Sequence, residues 1–330
     1  MAKDEFLAYR LHAGNEAGAA PQGRFESLRT EDLSGGDTLI QVAYAGLNYK
    51  DALAQAGRGK IIRAYPRVGG IDFSGTIVHS SEAALAPGTP VVVHGFGAGV
   101  DHDGGYAEYA RVPAEWVLPL PAGMTLREAA ALGAAGYTAA LSLHWMEHCG
   151  LTAGDVLVTG ATGGVAGIAI DILDRRGFRV CAMSGKPGVQ AYLRALGAAD
   201  VIPPLDEGAP LRPLMSARWD GVVDSVGGRL LAQVIACLRP DGVAAAFGNA
   251  GGAELPASVI PFILRGVKLI GINANSPMPL RKRLWHRLAN DYRPARLDTA
   301  TRVIEPRELP QTLAALLARE NIGRCVVRFS

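Results

Sequence analysis

Apolar residues are distributed in two ways along this chain. In the first third they form short runs separated by Gly, Pro and charged turns: FLAYRL (6–11), DTLIQVAYAGL (37–47), GGIDFSGTIV (69–78) and TPVVVHG (89–95). That pattern predicts strands. Pro113, Pro119 and Pro121 punctuate the end of this region, around WVLPLP (116–121). From Thr125 the sequence turns Ala-rich and helical, LREAAALGAAGYTAALSLHWMEH (126–148), and a domain change is expected there.

Beyond that point strand and helix patterns alternate. Val156, Leu157 and Val158 predict a buried parallel strand, because the apolar run is short and ends at Gly160. Val165, Ile168, Ala169, Ile172 and Leu173 then recur at helical spacing as one apolar stripe, which Gly177 stops. FRVCAM (178–183) predicts a second buried strand, so the whole is a βαβ unit. VQAYLRAL (189–196), WDGVVDSVG (219–227), RLLAQVIACL (229–238), GVAAAFGN (242–249), PFILRG (261–266), KLIGIN (268–273) and a basic helix at 279–290 continue the alternation. The predicted class is α/β, with a doubly wound parallel sheet behind a β-rich domain. A helix at 308–319 and the strand RCVVRF (324–329) fit neither pattern and are expected to return to the first domain.

The turn from Thr159 to Gly164 joins strand to helix through small residues, which lets backbone amides approach a phosphate. Glycine turns also occur where nothing binds; the ordered strand, turn, helix and strand favour a dinucleotide. An NAD site usually places Asp or Glu after the second strand to hold the ribose 2′-hydroxyl. Here the strand runs into Ser184-Gly185-Lys186, with no acid between Arg179 and Asp200. A hydroxyl, an amide and an ammonium suit the 2′-phosphate of NADPH, the alternative being an ordinary turn with a solvated Lys.

With 330 residues the chain exceeds one ordinary domain, and its net charge of +2 leaves no nucleic-acid footprint. Cys149, Cys181, Cys237 and Cys325 are isolated and fit reduced thiols. Lys3, Asp4 and Glu5 interrupt any secretory signal at the start. The most apolar window, 156–170, lies between Asp155 and Asp171 and is too short for a membrane span. A soluble cytoplasmic protein with no membrane or nucleic-acid partner is expected.

Several segments together carry a family resemblance: LNYKDALA (47–54), GRGKIIRAYPRVGGIDFSGT (57–76), DGGYAEYARV (103–112), GAAGYTAAL (133–141), VTGATGGV (158–165), SGKP (184–187), VVDSVGG (222–228) and PFILRGVKLIGI (261–272). With these the chain resembles the zinc-independent, quinone-oxidoreductase-like branch of the medium-chain dehydrogenase/reductase superfamily, and within it the acrylyl-CoA reductase group. The resemblance implies a GroES-like β-rich catalytic domain (1–124 and 303–330) and a Rossmann NADP-binding domain (125–302). Zinc-dependent relatives carry a Cys and a Gly-His-Glu where this chain reads LNYKD (47–51) and GGIDFSG (69–75), and their four-Cys lobe is missing here. His94 and His102 offer no third ligand nearby in sequence, so no metal is expected.

By the same resemblance Asn48 and Tyr49 belong beside the nicotinamide, with Asp51 and Asp72 in the same pocket, as the catalytic set. Asn48 offers amide donors and Tyr49 a phenol to a developing enolate; the two carboxylates equally suit orienting neighbours or capping turns. The cofactor set implied is Asn48, Thr138, Thr162, Gly163, Gly164, Val165, Ala166, Ser184, Gly185, Lys186, Gly248 and Asn273. Between Asp51 and Asp72 lie Arg58, Lys60, Arg63 and Arg67 and no acid. Lys60 and Arg63 are candidates for coenzyme A phosphates, against a plain solvated loop; Tyr137 is a candidate pocket wall, against a core role. RKRLWHR (281–287) reads as a solvent-facing helix; the resemblance implies a homodimer in which KLIGIN (268–273) extends the sheet across a two-fold axis, against a buried internal strand.

Two segments depart from the family pattern. The pyrophosphate turn reads Gly163-Gly164-Val165-Ala166-Gly167 where a glycine is usual at 166, and Asn273-Ala274 stands where Asp-Ser is usual. Three readings follow. The chain is an NADPH-dependent reductase of a short 2-enoyl-CoA such as acrylyl-CoA to propionyl-CoA, a quinone or enone reductase, or a non-catalytic NADPH-binding regulatory protein.

Overall fold

β-branched and small apolar residues at alternating positions make residues 38–47 the central strand of the first half of the molecule. In this computed structural model, which describes residues 3–16 and 19–330, the strands of that half are β1 (Phe6–His12), β2 (Gln22–Leu28), β3 (Thr38–Leu47), β4 (Arg67–Val68), β5 (Asp72–Ser80), β6 (Pro90–His94), β7 (Tyr109–Val112) and β8 (Leu118–Pro119). Helix α1 (Tyr49–Gln55) follows β3, and α2 (Leu126–His148) follows β8. The second half alternates β9 (Asp155–Val158), α3 (Gly164–Arg175), β10 (Arg179–Met183), α4 (Gln190–Ala195), β11 (Asp200–Ile202), β12 (Trp219–Asp224), α5 (Gly228–Ala236), β13 (Leu238–Ala246), α6 (Ile260–Arg265) and β14 (Lys268–Gly271). It closes with α7 (Met278–Ala289), α8 (Leu297–Ala300), β15 (Thr301–Ile304), α9 (Leu309–Leu317) and β16 (Arg324–Arg328).

The chain forms two compact units. The first runs to Ala135 and takes in Asn275–Ala289 and Thr301–Ser330. Its larger sheet has the order β15-β16-β3-β5-β6-β8, with β7 also on β3, and a smaller sheet has the order β2-β1-β4. Ile40 and Val42 of β3 are fully buried. The tail strand β16 lies antiparallel on β3, pairing Cys325 with Leu47 and Val326 with Gly46. This brings Arg324 to the point where β3 ends and α1 begins.

Residues 275–289 lie inside the stretch expected to be Rossmann, yet they belong to the first unit. The reason is that α7 is not a solvent-facing helix: Arg281, Leu284, Trp285 and Leu288 are buried. Arg281 donates to the His94 carbonyl at 2.6 Å, and the Trp285 indole donates to His94 Nε2 at 3.0 Å.

The second unit, Gly136–Ala274 with Asn290–Ala300, holds a sheet of order β11-β10-β9-β12-β13-β14. All its strands are parallel. Connections run outward from β9 in one direction and from β12 in the other, so the order reverses between them. In such sheets ligands bind beyond the carboxyl ends of the strands at that reversal. No helix among the described residues is long and apolar enough to cross a membrane.

Candidate active site

In the first unit, β3 ends at Leu47 and Asn48 caps α1 in an extended conformation (φ −121°, ψ 156°). Asp51, the third helical residue, returns its carboxylate to the cap: Oδ2 accepts the Asn48 backbone N–H at 2.9 Å and the Asn48 amide at 3.1 Å. Its Oδ1 accepts the Ile71 N–H at 3.0 Å, tying α1 to the residue before β5. The Asn48 amide also donates to Asp72 Oδ1 at 3.2 Å.

Asp72 opens β5 and is fully buried, as is Arg324 at the start of β16. Arg324 Nη2 donates to Asp72 Oδ2 at 2.7 Å, and Nη1 donates to the Leu47 carbonyl at 2.6 Å and to Asn48 Oδ1 at 2.9 Å. Its Nε and Nη2 also reach the Ala131 and Ala130 carbonyls. Two glycines make room for this. A Cβ on Gly46 would overlap the guanidinium, and one on Gly133 would overlap the Asp72 carboxylate. Gly133 has φ 44° and ψ −142°, so α2 breaks there, and the Ala134 N–H donates to Asp72 Oδ2 at 2.6 Å.

The electrostatics follow from burial. Desolvation, and then the adjacent Asp72 charge, push the Asp51 carboxyl up to about 7, against the Asn48 and Ile71 donors. The buried Tyr106 hydroxyl donates to the Gly46 carbonyl at 3.2 Å. Burial holds its ionisation well above the ordinary phenol range, and the Asp51 and Asp72 charges add to that.

Asn48 thus spends its amide on the two carboxylates and its carbonyl on Arg324. That arrangement fits an orienting residue. Tyr49 is half-exposed and Lys50 exposed, and both head the same helix. Arg324 was not among the expected site residues, because an isolated Arg in a terminal strand carries no sequence signal of its 252-residue reach to Asp72.

The cationic stretch divides. Arg58, Lys60 and Arg63 are exposed, and Lys60 adopts φ 50°. Arg67 instead turns inward, donating to Ser34 Oγ at 2.8 Å and pairing with the buried Asp103 at 3.3 Å. It serves the fold.

In the second unit the turn after β9 is built as expected. Gly160 has φ 56°, which suits glycine. Gly163 caps α3, and Thr162 is buried beneath the turn. The first-turn amides of α3, at Gly164, Val165 and Ala166, have no carbonyl four residues back inside the helix and point out of its N-terminus. Ala166 is itself buried. The close helix contact falls one residue later: a Cβ on Gly167 would stand 3.3 Å from Leu196 and 3.4 Å from the Tyr192 hydroxyl.

After β10, Ser184 and Lys186 are half-exposed and Gly185 exposed, with the Lys186 N–H held on Ser184 Oγ at 3.2 Å. Gly248, after β13, abuts the Ser225 carbonyl so closely that a Cβ would overlap it. Asn273 is exposed beyond β14. On α2, Thr138 is 8 % exposed and Tyr137 is fully buried.

No three His, Cys, Asp or Glu side chains converge as a metal-ligand set among the described residues. The cation that answers Asp72 is the Arg324 guanidinium, and His94 is enclosed by Arg281 and Trp285. The donor set does not fit a zinc ion.

Comparison with known proteins shows the family. The alcohol dehydrogenase GroES-like domain family matches residues 34–122, and the zinc-binding dehydrogenase family matches 164–290. A putative quinone oxidoreductase of Bacillus subtilis, YhfP, is 44% identical over 92% of this chain and 93% of its own. Acrylyl-CoA reductase AcuI of Ruegeria pomeroyi is 42% identical over 95% and 96%. The crystal structure of the yhdH oxidoreductase of Salmonella enterica in complex with NADP superposes with a TM-score of 0.94 at 38% identity, covering 98% of this chain and all of that one.

Proposed function

The chain belongs to the medium-chain dehydrogenase/reductase superfamily, in its acrylyl-CoA reductase group, and from that premise we propose that it is an NADPH-dependent oxidoreductase that reduces the activated C=C bond of a short 2-enoyl-CoA, acrylyl-CoA to propionyl-CoA. The presence of an acrylyl-CoA reductase among its full-length relatives carries the choice of substrate. When bound, NADPH supplies a hydride to the β-carbon, and a proton adds at the α-carbon.

The chain's own residues bind, orient and stabilise. The amides of the Gly163–Ala166 turn and the α3 N-terminus receive the pyrophosphate, while Ser184, Gly185 and Lys186 receive the 2′-phosphate. Thr138, Gly248 and Asn273 complete the cofactor set. Asn48, fixed by Asp51, Asp72 and Arg324, orients the nicotinamide side of the site. Tyr49, whose phenol is half-exposed at the head of α1, donates to the carbonyl oxygen as it gains charge. Lys60 and Arg63 hold the phosphates of coenzyme A.

A second reading, reduction of quinones or small enones, is favoured by the equally similar quinone oxidoreductase homologue. Loss of NADPH absorbance in stopped flow with acrylyl-CoA, crotonyl-CoA and a benzoquinone separates the two. Turnover of the CoA esters is expected. Turnover of the quinone alone overturns the first reading, and tight NADPH binding with no turnover leaves a regulatory protein.

A further inference from the structure

In the second unit the ladder between β9 and β12 pairs Val158 with Val223 as its last residues, yet the two chains stay tied beyond it. The Thr159 N–H donates to the Val223 carbonyl at 3.1 Å. The Thr159 hydroxyl donates to Asp224 Oδ1 at 2.6 Å and accepts the Ser225 N–H at 3.1 Å. The Ser225 hydroxyl returns to the Thr159 carbonyl at 3.0 Å. Asp224 Oδ2 accepts the Gly227 N–H at 2.8 Å.

Glycines crowd around this clasp. A Cβ on Gly160 would overlap the Ser225 hydroxyl, and one on Gly248 would overlap the Ser225 carbonyl. Gly251 donates to the Val226 carbonyl at 2.7 Å. The turn after β9, the loop after β12 and the loop after β13 therefore meet at one point, on the carboxyl side of the sheet where its order reverses.

Asp224 is a costly way to join two strands. It is fully buried, no cation pairs with it among the described residues, and burial raises its carboxyl pKa against the Thr159 hydroxyl and the Gly227 and Val226 amides. Apolar packing would hold the strands at less expense. What the carboxylate adds is direction: it fixes the Thr159 side of the glycine turn, and it draws the amides of the β12 loop onto itself, leaving the α3 N-terminus as the open set of donors.

We propose that Asp224, acting through Thr159, is a positioning residue for the dinucleotide, setting the glycine turn in the geometry that receives the pyrophosphate. The inference rests on the NADPH reading. The full-length protein is titrated with NADPH by nicotinamide fluorescence, and NADPH KM and kcat are measured with the best substrate, for wild type, Thr159→Val, Thr159→Ser and Asp224→Asn.

Thr159→Val removes the hydroxyl at nearly constant shape, and Asp224→Asn can turn an amide donor toward the Gly227 N–H. Each is expected to raise Kd and KM for NADPH about tenfold or more, the scale of a charge-assisted hydrogen bond, while kcat at saturating NADPH stays within about twofold. Thr159→Ser restores affinity. Wild-type affinity in both Thr159→Val and Asp224→Asn overturns the proposal, as does equal weakening in Thr159→Val and Thr159→Ser. Loss of kcat with the folded fraction at unchanged Kd does the same, since that marks a purely structural role. Should Asp224→Asn fail to fold, the two Thr159 variants decide. A folded wild type that does not bind NADPH brings down the cofactor reading itself, seen without any variant.

Discussion

Arg324 and Asp72 meet at 2.7 Å with their side chains 1 % and 0 % exposed. The guanidinium enters from the last strand of the chain and the carboxylate from β5. The pair joins the end of β3, the head of α1 and the break in α2 through the same two groups. Removing one partner leaves a buried charge without an answer, which typically costs about 3–5 kcal/mol. Arg324→Met is therefore expected to lower stability by that order in urea unfolding. Arg324→Lys recovers only part, because one ammonium cannot reach the Asp72, Leu47, Asn48 and Ala131 acceptors together. The double variant Arg324→Met/Asp72→Asn is expected to be more stable than Arg324→Met alone; equal loss in both refutes the buried-charge argument.

Asp51 gives the site a pH dependence of definite sign. Its carboxyl is raised to about 7 in the folded protein, above about 3.9 for an exposed aspartate, so the folded state holds its proton more tightly than the unfolded chain. The stability that this proton contributes is complete below about pH 4 and is lost as pH rises to about 7. The groups that face it are Asp72, whose charge adds to the shift, Asn48 and Ile71, which oppose it, and Tyr106. Asp51→Asn is expected to flatten the fall in urea midpoint between about pH 5 and 8. An unchanged slope in the variant would place the titration elsewhere.

Much of this arrangement could be read from the chain, and the unread part has a physical pattern. The strand, turn and helix at 156–173 were readable because one buried stripe and one glycine turn are local signals. The fate of Asp51 and Asp72 as orienting groups was open for the same reason: Asp51 three residues after Asn48 is a helix-capping spacing as much as an acid. What stayed hidden depends on long reach. Arg324 acts across 252 residues, and the break of α2 at Gly133 answers an acceptor on β5. Arg281 and Trp285 sit in a run rich in cations yet face inward to His94. β2 carries no strand signal, because QGRFESL has alternating charges and little apolar content.

In the NADPH reading proposed above, the end of β10 selects the cofactor. Lys186→Glu replaces an ammonium with a carboxylate beside Ser184, where a 2′-phosphate is expected. It should reduce kcat/KM for NADPH by about 10- to 100-fold and leave NADH nearly unaffected, as expected for loss of a charge-assisted contact followed by repulsion. Equal effects on the two cofactors would remove the basis for NADPH preference.

Arg63 and Lys60 are exposed, in contrast to Arg67, so their charges are free to meet a polyanionic substrate. Arg63→Ala, alone or with Lys60→Ala, is expected to raise KM for an enoyl-CoA several-fold, more steeply at low salt, with a small enone unaffected. Parallel losses on both substrates would assign the loop to the fold.

The outer edge of the parallel sheet carries the last prediction. β14 pairs with β13 and ends the strand order, so one row of its backbone groups faces outward, and its residues are half-exposed or exposed. Just before it, Val259, Ile263 and Leu264 are 65 %, 69 % and 65 % exposed. A strand edge left unpaired among the described residues, beside an apolar helix face, is a surface that proteins ordinarily cover. A second copy of the chain can cover both at once, because two β14 strands related by a two-fold axis pair antiparallel and present the same α6 face to each other. Ile263→Asp with Leu264→Asp is expected to convert a dimer to monomer in light scattering at micromolar concentration, with the unfolding midpoint becoming independent of protein concentration. A wild type that is already monomeric at that concentration would defeat the assignment, since the edge would then be tolerated bare.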